Sequence, residues 1–197
     1  MDKKLLGKIC DTAFYLTKTK SIGHENFIES FKQNQIKCKL WLVDEIANTN
    51  TKFDKILVIG SWNGVLLYEL MKESCDIGWF DFLDIDEQTH FHRNTYFEMH
   101  QMEKNYNSIK CNAEDFSDFD SYDLIINTSC EHMNIIPVVN GPLYALQSNN
   151  YKSVKEHINC VNSPMELKEQ YNITQTVFKG DLDMGHYKRF MVIGSYW

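Results

Sequence analysis

The segment Lys-Ile-Leu-Val-Ile-Gly, residues 55–60, is the strongest constraint on what this chain can fold into. An unbroken apolar run closed by glycine fits a strand buried on both faces, as in the middle of a parallel sheet, and not a half-wet hairpin strand. Ser61-Trp62-Asn63-Gly64 follows at once, and VLLYELMKES (65–74) then reads as a helix. WFDFLDID (79–86) is the next strand, HFHRNTYFEMHQM (90–102) a helix, SIKCNA (108–113) a short strand and YDLIINTS (122–129) a fourth. This alternation predicts an α/β fold, with a parallel sheet and crossover helices.

The rhythm changes after residue 130. LYALQSNN (143–150) reads as a fifth strand, and a helix is expected over about 164–171. Ser163 is its N-cap, Pro164 its first residue and Glu166 the third after the cap. TQTVFKGDL and HYKRFMVIGSYW read as two strands joined by a turn around Asp183 to Gly185, and so close a pair must be antiparallel. Ahead of the first strand, helical spacing is expected over 3–18, around Glu25 to Phe31, and over about 34–47. These stretches form a helical cap over residues 1–50, beside a sheet domain over 51–197.

The turn at Gly60 to Gly64 places backbone N–H groups at the carboxyl edge of the sheet. Twenty-four residues after Gly60, at the end of the next strand, sits Asp84. A carboxylate there can accept both ribose hydroxyls of an adenosine ligand; an ordinary strand-end aspartate is the plain alternative. The third strand ends in Cys111-Asn112-Ala113-Glu114-Asp115-Phe116, and the fourth in Asn127-Thr128-Ser129.

With VIGSWNG, FLDID, NAEDF and YDLIINTSCEH in sequence, the chain resembles the class I S-adenosylmethionine-dependent methyltransferases over about residues 54–197. The G-x-W-x-G form and compact size are similar to small phage-encoded members. The resemblance implies a Rossmann-like three-layer sandwich, whose mainly parallel seven-stranded sheet ends in an antiparallel C-terminal pair. It implies S-adenosylmethionine as cofactor. Gly60, Ser61, Trp62 and Gly64 would line its methionine portion, and Asp84 would hold the ribose. Ile85 would pack on the adenine, Asn112 meet the adenine amine and the Ala113 N–H a ring nitrogen. Asn127, Thr128 and Ser129 would border the methyl-transfer face. Two positions depart from the family pattern: Val58 stands where an acidic residue is usual, and Trp62 replaces the middle glycine. Trp62 narrows the pocket, stacks on the ligand or simply joins the core. A nicotinamide dehydrogenase would need G-x-G-x-x-G, which G-S-W-N-G-V-L does not supply.

Methyl transfer is an in-line displacement at a sulfonium, so the protein mainly positions the reactants, and a general base helps only an acceptor that has a proton to lose. Glu131 and His132, just after the fourth strand, are the catalytic candidates; a local hydrogen bond at an exposed turn is the alternative. Cys130 reads as a small buried side chain. His90, His92 and His100 read as residues of a surface helix, and with no zincin spacing or cysteine knuckle beside them no metal is expected. The amides of Gln147 to Asn150 suit turn chemistry, with a polar-substrate contact as the alternative.

Charge bears on the acceptor. The formal net charge is −7, and Arg93 and Arg189 are the only arginines among 20 basic residues. That balance disfavours a phosphate backbone as partner. No D/N/S-P-P-Y motif follows the fourth strand, and no Pro-Cys pair occurs. A small-molecule or protein acceptor is therefore expected, with the oligomeric state left open. Two other readings survive: an S-adenosylmethionine-using enzyme with aminocarboxypropyl-transfer, cyclisation or lysis chemistry, and a non-catalytic cofactor- or partner-binding protein. Six scattered cysteines without a C-x-x-C pair suit reduced thiols. No apolar run has the length of a signal peptide's core or of a membrane span, and a cytoplasmic location is expected.

Overall fold

The computed structural model describes residues 2–197. Three helices open the chain: α1 (Lys3–Lys18), α2 (His24–Glu29) and α3 (Gln33–Ala47). The chain then runs β1 (Phe53–Ile59), α4 (Val65–Ser74), β2 (Ile77–Asp84), α5 (Glu87–Met99), β3 (Tyr106–Lys110) and β4 (Leu124–Asn127). It closes with β5 (Leu143–Asn149), α6 (Pro164–Gln170), β6 (Gln175–Asp183) and β7 (Lys188–Ser195). The seven strands lie in the order β3-β2-β1-β4-β5-β7-β6. β1 to β5 pair in parallel, while β7 runs antiparallel to both β5 and β6.

Alternation along β1 divides the core. Ile56 and Val58 join Phe80, Phe82, Leu124 and Ile126 beneath α1 to α5. Leu57 and Ile59 face the other way, with Ile125, Leu146 and Val192, against α6 and the irregular segments between β3 and β5. Both faces of the central strands are thus covered, which is why β1 tolerates no polar residue between Ile56 and Ile59. Leu5, Ile9 and Leu16 of α1, Phe27 of α2, and Leu42, Val43 and Ile46 of α3 bury into the same core as the sheet's upper face.

The helix over Glu87–Met99 is not the surface helix that its histidines suggest. His90, His92 and Arg93 are all buried: His92 where the α1–α2 segment packs on the helix, His90 and Arg93 against the ends of β2 and β3 and the turn after β1. His92 Nε2 lies 3.1 Å from the Ile22 carbonyl, and His100 Nε2 lies 3.0 Å from both Thr12 Oγ1 and the Lys8 carbonyl. Ring nitrogens that read as solvated instead dock the N-terminal helices. The amide-rich end of β5 is likewise not a turn, since Gln147, Ser148 and Asn149 are buried strand residues. At α6, Ser163 Oγ accepts from the Glu166 N–H at 3.0 Å, the expected cap. No helix among the described residues is long and apolar enough to cross a membrane.

Candidate functional site

β1 has β2 on one side and β4 on the other, so the chain leaves the sheet in opposite directions there. This switch point is where open α/β sheets leave a crevice beyond their carboxyl ends. A cavity of about 530 Å³ occupies it. Eight of the residues expected to touch a ligand line it: Gly60, Trp62, Asp84, Ile85, Asn112, Ala113, Ser129 and His132. Leu83, Thr89, Met133 and Ile158 extend the wall.

Gly60 and Trp62 both take positive φ, at 57° and 51°. A Cβ on Gly60 would come within 2.9 Å of Met133 Cε and 3.2 Å of Ser129 Cβ, so glycine keeps the β1 and β4 ends close without filling the cavity. Trp62 adopts the left-handed conformation at a steric cost. Its N–H donates to Asp84 Oδ2 at 2.8 Å, which helps hold it there. The other oxygen, Oδ1, accepts from the Asp86 N–H at 3.0 Å. Burial pushes the Asp84 carboxyl above the usual aspartate range, against these two bonds.

Beneath the turn lies a strut that sequence reasoning missed. Arg93, fully buried, donates to Ser61 Oγ and to the Trp62 carbonyl at 3.2 Å, and to Ser108 Oγ at 2.9 Å. Its Nη2 also donates to His90 Nδ1 at 2.7 Å, and His90 Nε2 in turn donates to the Asp84 carbonyl at 3.0 Å. The guanidinium carbon sits 4.4 Å from the centre of the Phe82 ring. Burial draws its pKa down to about 10, so it still carries its charge at neutral pH.

Gly64 and Asn127 line neither this cavity nor its neighbour. Gly64 is the left-handed residue at the start of α4, and a Cβ there would meet the Phe82 ring at 2.6 Å. Asn127 is buried and turns inward, its Oδ1 accepting from the Ser129 N–H at 2.9 Å. Both hold the loops that shape the site. Ser61 and Thr128 line a second cavity of about 80 Å³, which shares Gly60, Trp62, Ser129 and His132 with the first as wall residues. Gln35 and Lys39 of α3 close it from above, with Glu131 and Arg189 on its other sides.

Glu131 and His132, adjacent in sequence, have different surroundings. Glu131 is 2% exposed, and its Oε1 accepts from Arg189 Nη1 at 2.6 Å and from Asn149 Nδ2 at 2.7 Å. Arg189 also donates to the Thr128 carbonyl, tying β7 to the end of β4. His132 keeps 44% of its side chain exposed, 3.9 Å from Glu131 Oε1. Partial burial lowers its pKa, which leaves the imidazole neutral at neutral pH. Lys39 Nζ donates to Gln35 Oε1, at 3.0 Å; burial first, and then Arg189, pull its pKa down to about 8. Cys130 is buried and its thiol is pushed up to about 12, so it is no nucleophile.

No protein-family model matches the chain, and no curated protein matches its sequence. Among solved structures it is similar to the N-methyltransferase NodS from Bradyrhizobium japonicum WM9 in complex with S-adenosyl-L-homocysteine. The TM-score is 0.64 at 9% identity, over 94% of this chain and 99% of that one. Geranyl diphosphate methyltransferase in complex with S-adenosylmethionine gives 0.59 at 11% identity, over 89% of this chain and 91% of that one. TehB from Haemophilus influenzae gives 0.57 at 13% identity, over 78% of this chain and 61% of that one. The fold is the Rossmann-like fold of the class I S-adenosylmethionine-dependent methyltransferases.

Proposed function

We propose that this chain is an S-adenosylmethionine-dependent methyltransferase acting on a small molecule or a protein side chain. One observation carries the reading. The Gly60–Trp62 turn and the Asp84 carboxylate meet through a hydrogen bond at the wall of a cavity large enough for the cofactor. There the carboxylate accepts the ribose hydroxyls, Ile85, Asn112 and Ala113 surround the adenine, and Gly60, Trp62 and Ser129 face the methionine end. Ser61 and Thr128, around the smaller cavity, border the transferred methyl group.

What the protein contributes to the reaction is position and a dry pocket. A neutral, half-exposed His132 beside Ser129 is the group placed to act on an acceptor. Glu131, held through Oε1 by Arg189 and Asn149, fixes this loop against β5 and β7. The net charge of −7 supports a metabolite or protein acceptor over nucleic acid.

Calorimetric titration with S-adenosylmethionine tests the cofactor. Saturable one-to-one binding, competed by S-adenosylhomocysteine, is expected; no binding would overturn the assignment.

A further inference from the structure

We propose that Glu131, His132 and His157 form a binding site for a divalent transition-metal ion at the transfer end of the pocket. The three offer one ligand atom each, and these atoms all lie within 4.8 Å of one another. An ion with bonds of about 2.1 Å gathers its ligands to roughly 3–4 Å apart, so a small rotation of the two rings completes the set.

The hydrogen bonding fits this role. His157 Nδ1 lies 2.5 Å from the Tyr151 carbonyl oxygen, which can only accept. Nδ1 must therefore carry the proton, and the neutral ring presents its lone pair at Nε2. A backbone carbonyl fixing one nitrogen while the other ligates is the usual second layer of a histidine metal site. The His132 and His157 ring centres are 4.5 Å apart and nearly perpendicular, at 84°. Glu131 Oε1 lies 3.9 Å from His132 Nε2 and accepts from Arg189 and Asn149, whereas its Oε2 is buried with no hydrogen-bond partner among the described residues. An unpartnered buried carboxylate oxygen is costly, and a cation is one group that satisfies it.

Two imidazoles and one carboxylate select Zn²⁺ or Co²⁺ over Mg²⁺ or Ca²⁺, which prefer oxygen ligands. Arg189 and Lys39 stand on the same cavity, so the ion's open positions would take an anionic oxygen rather than an amine. This consequence rests on the methyltransferase reading above, and it names the acceptor class: a hydroxyl or carboxyl compound that binds through oxygen. A hydroxyl acceptor would lose its proton to water on coordination. Its oxygen would then form the bond to the methyl carbon as the carbon–sulfur bond breaks, the electron pair staying on sulfur.

The test is titration of chelator-stripped protein with Zn²⁺ by calorimetry and with Co²⁺ by visible absorption, with S-adenosylmethionine affinity measured on the same samples. One ion per chain is expected. His157→Ala and His132→Ala should each weaken it on the order of 100-fold. His157→Ala should keep wild-type cofactor affinity, which shows that the variant is folded. Absence of stoichiometric binding by the wild type, or wild-type affinity in His157→Ala, would overturn the site. A wild type that binds the ion but no cofactor would support the metal site and remove the methyltransferase reading alone.

Discussion

The backbone N–H of Trp62 and the Oδ2 oxygen of Asp84, 22 residues apart, are joined by a 2.8 Å hydrogen bond that ties the turn after β1 to the end of β2. Trp62, at the position where the resemblance expects a glycine, is thereby held in a left-handed conformation that its side chain disfavours. The same carboxylate is the one expected to bind ribose, so turn geometry and cofactor affinity depend on one residue.

Asp84→Ala should therefore weaken S-adenosylmethionine binding by about 1.5–3 kcal/mol, or ~10- to 150-fold, through the loss of charge-assisted hydrogen bonds. Calorimetry reads this directly. Unchanged affinity would place the ribose elsewhere.

Acidity should act on the same group in two opposite directions. The buried Asp84 carboxyl titrates above the ordinary aspartate range, so the folded free protein binds its proton more readily than the unfolded chain does. Lowering the pH through that window stabilises the free protein through this group, and raising it removes the contribution. Cofactor binding needs the ionised form, so affinity falls as the pH drops through the same window. Affinity measured against pH should show this fall in the wild type and lose it in Asp84→Asn.

Arg93→Ala should cost about 2–4 kcal/mol of stability, because it leaves Ser61, Ser108, His90 and the Trp62 carbonyl short of a buried donor and opens a cavity under Phe82. Urea unfolding monitored by circular dichroism measures it. A loss below about 0.5 kcal/mol, the scale of a surface substitution, would show that Arg93 is no strut.

The two turn glycines should fail differently. In Gly64→Ala the new Cβ meets the Phe82 ring, wedged among Tyr68, Phe80 and Arg93, so stability drops. In Gly60→Ala the nearest obstacle is the flexible end of Met133, at the cavity wall. Comparison of melting temperatures and cofactor affinities should show Gly64→Ala as the less stable variant and Gly60→Ala as a folded, weaker binder.

The sequence carried the sheet well because apolar runs and glycine turns are local signals. β1, α4 and the antiparallel tail fall within a few residues of expectation, and eight of the thirteen candidate site residues line the larger cavity. Long-range polar pairs were illegible. Arg93 and His90 carry no mark of burial in HFHRNTYFEMH, because the groups that take their hydrogen bonds, Ser61 and the Trp62 carbonyl upstream and Ser108 downstream, are remote in sequence. Glu131 reads as exposed until Arg189, 58 residues later, is seen to neutralise it. Nothing near His157 ties it to the end of β4, since only the return of the chain after β5 brings it there.

The most direct test of the central claim is mass spectrometric identification of the nucleoside formed when the purified protein is incubated with S-adenosylmethionine and a panel of small-molecule and protein acceptors. S-adenosylhomocysteine, with an acceptor heavier by one methyl group and its formation reduced in His132→Ala, is the predicted outcome. Methylthioadenosine as the product would contradict it and assign the site to cleavage of a different carbon–sulfur bond.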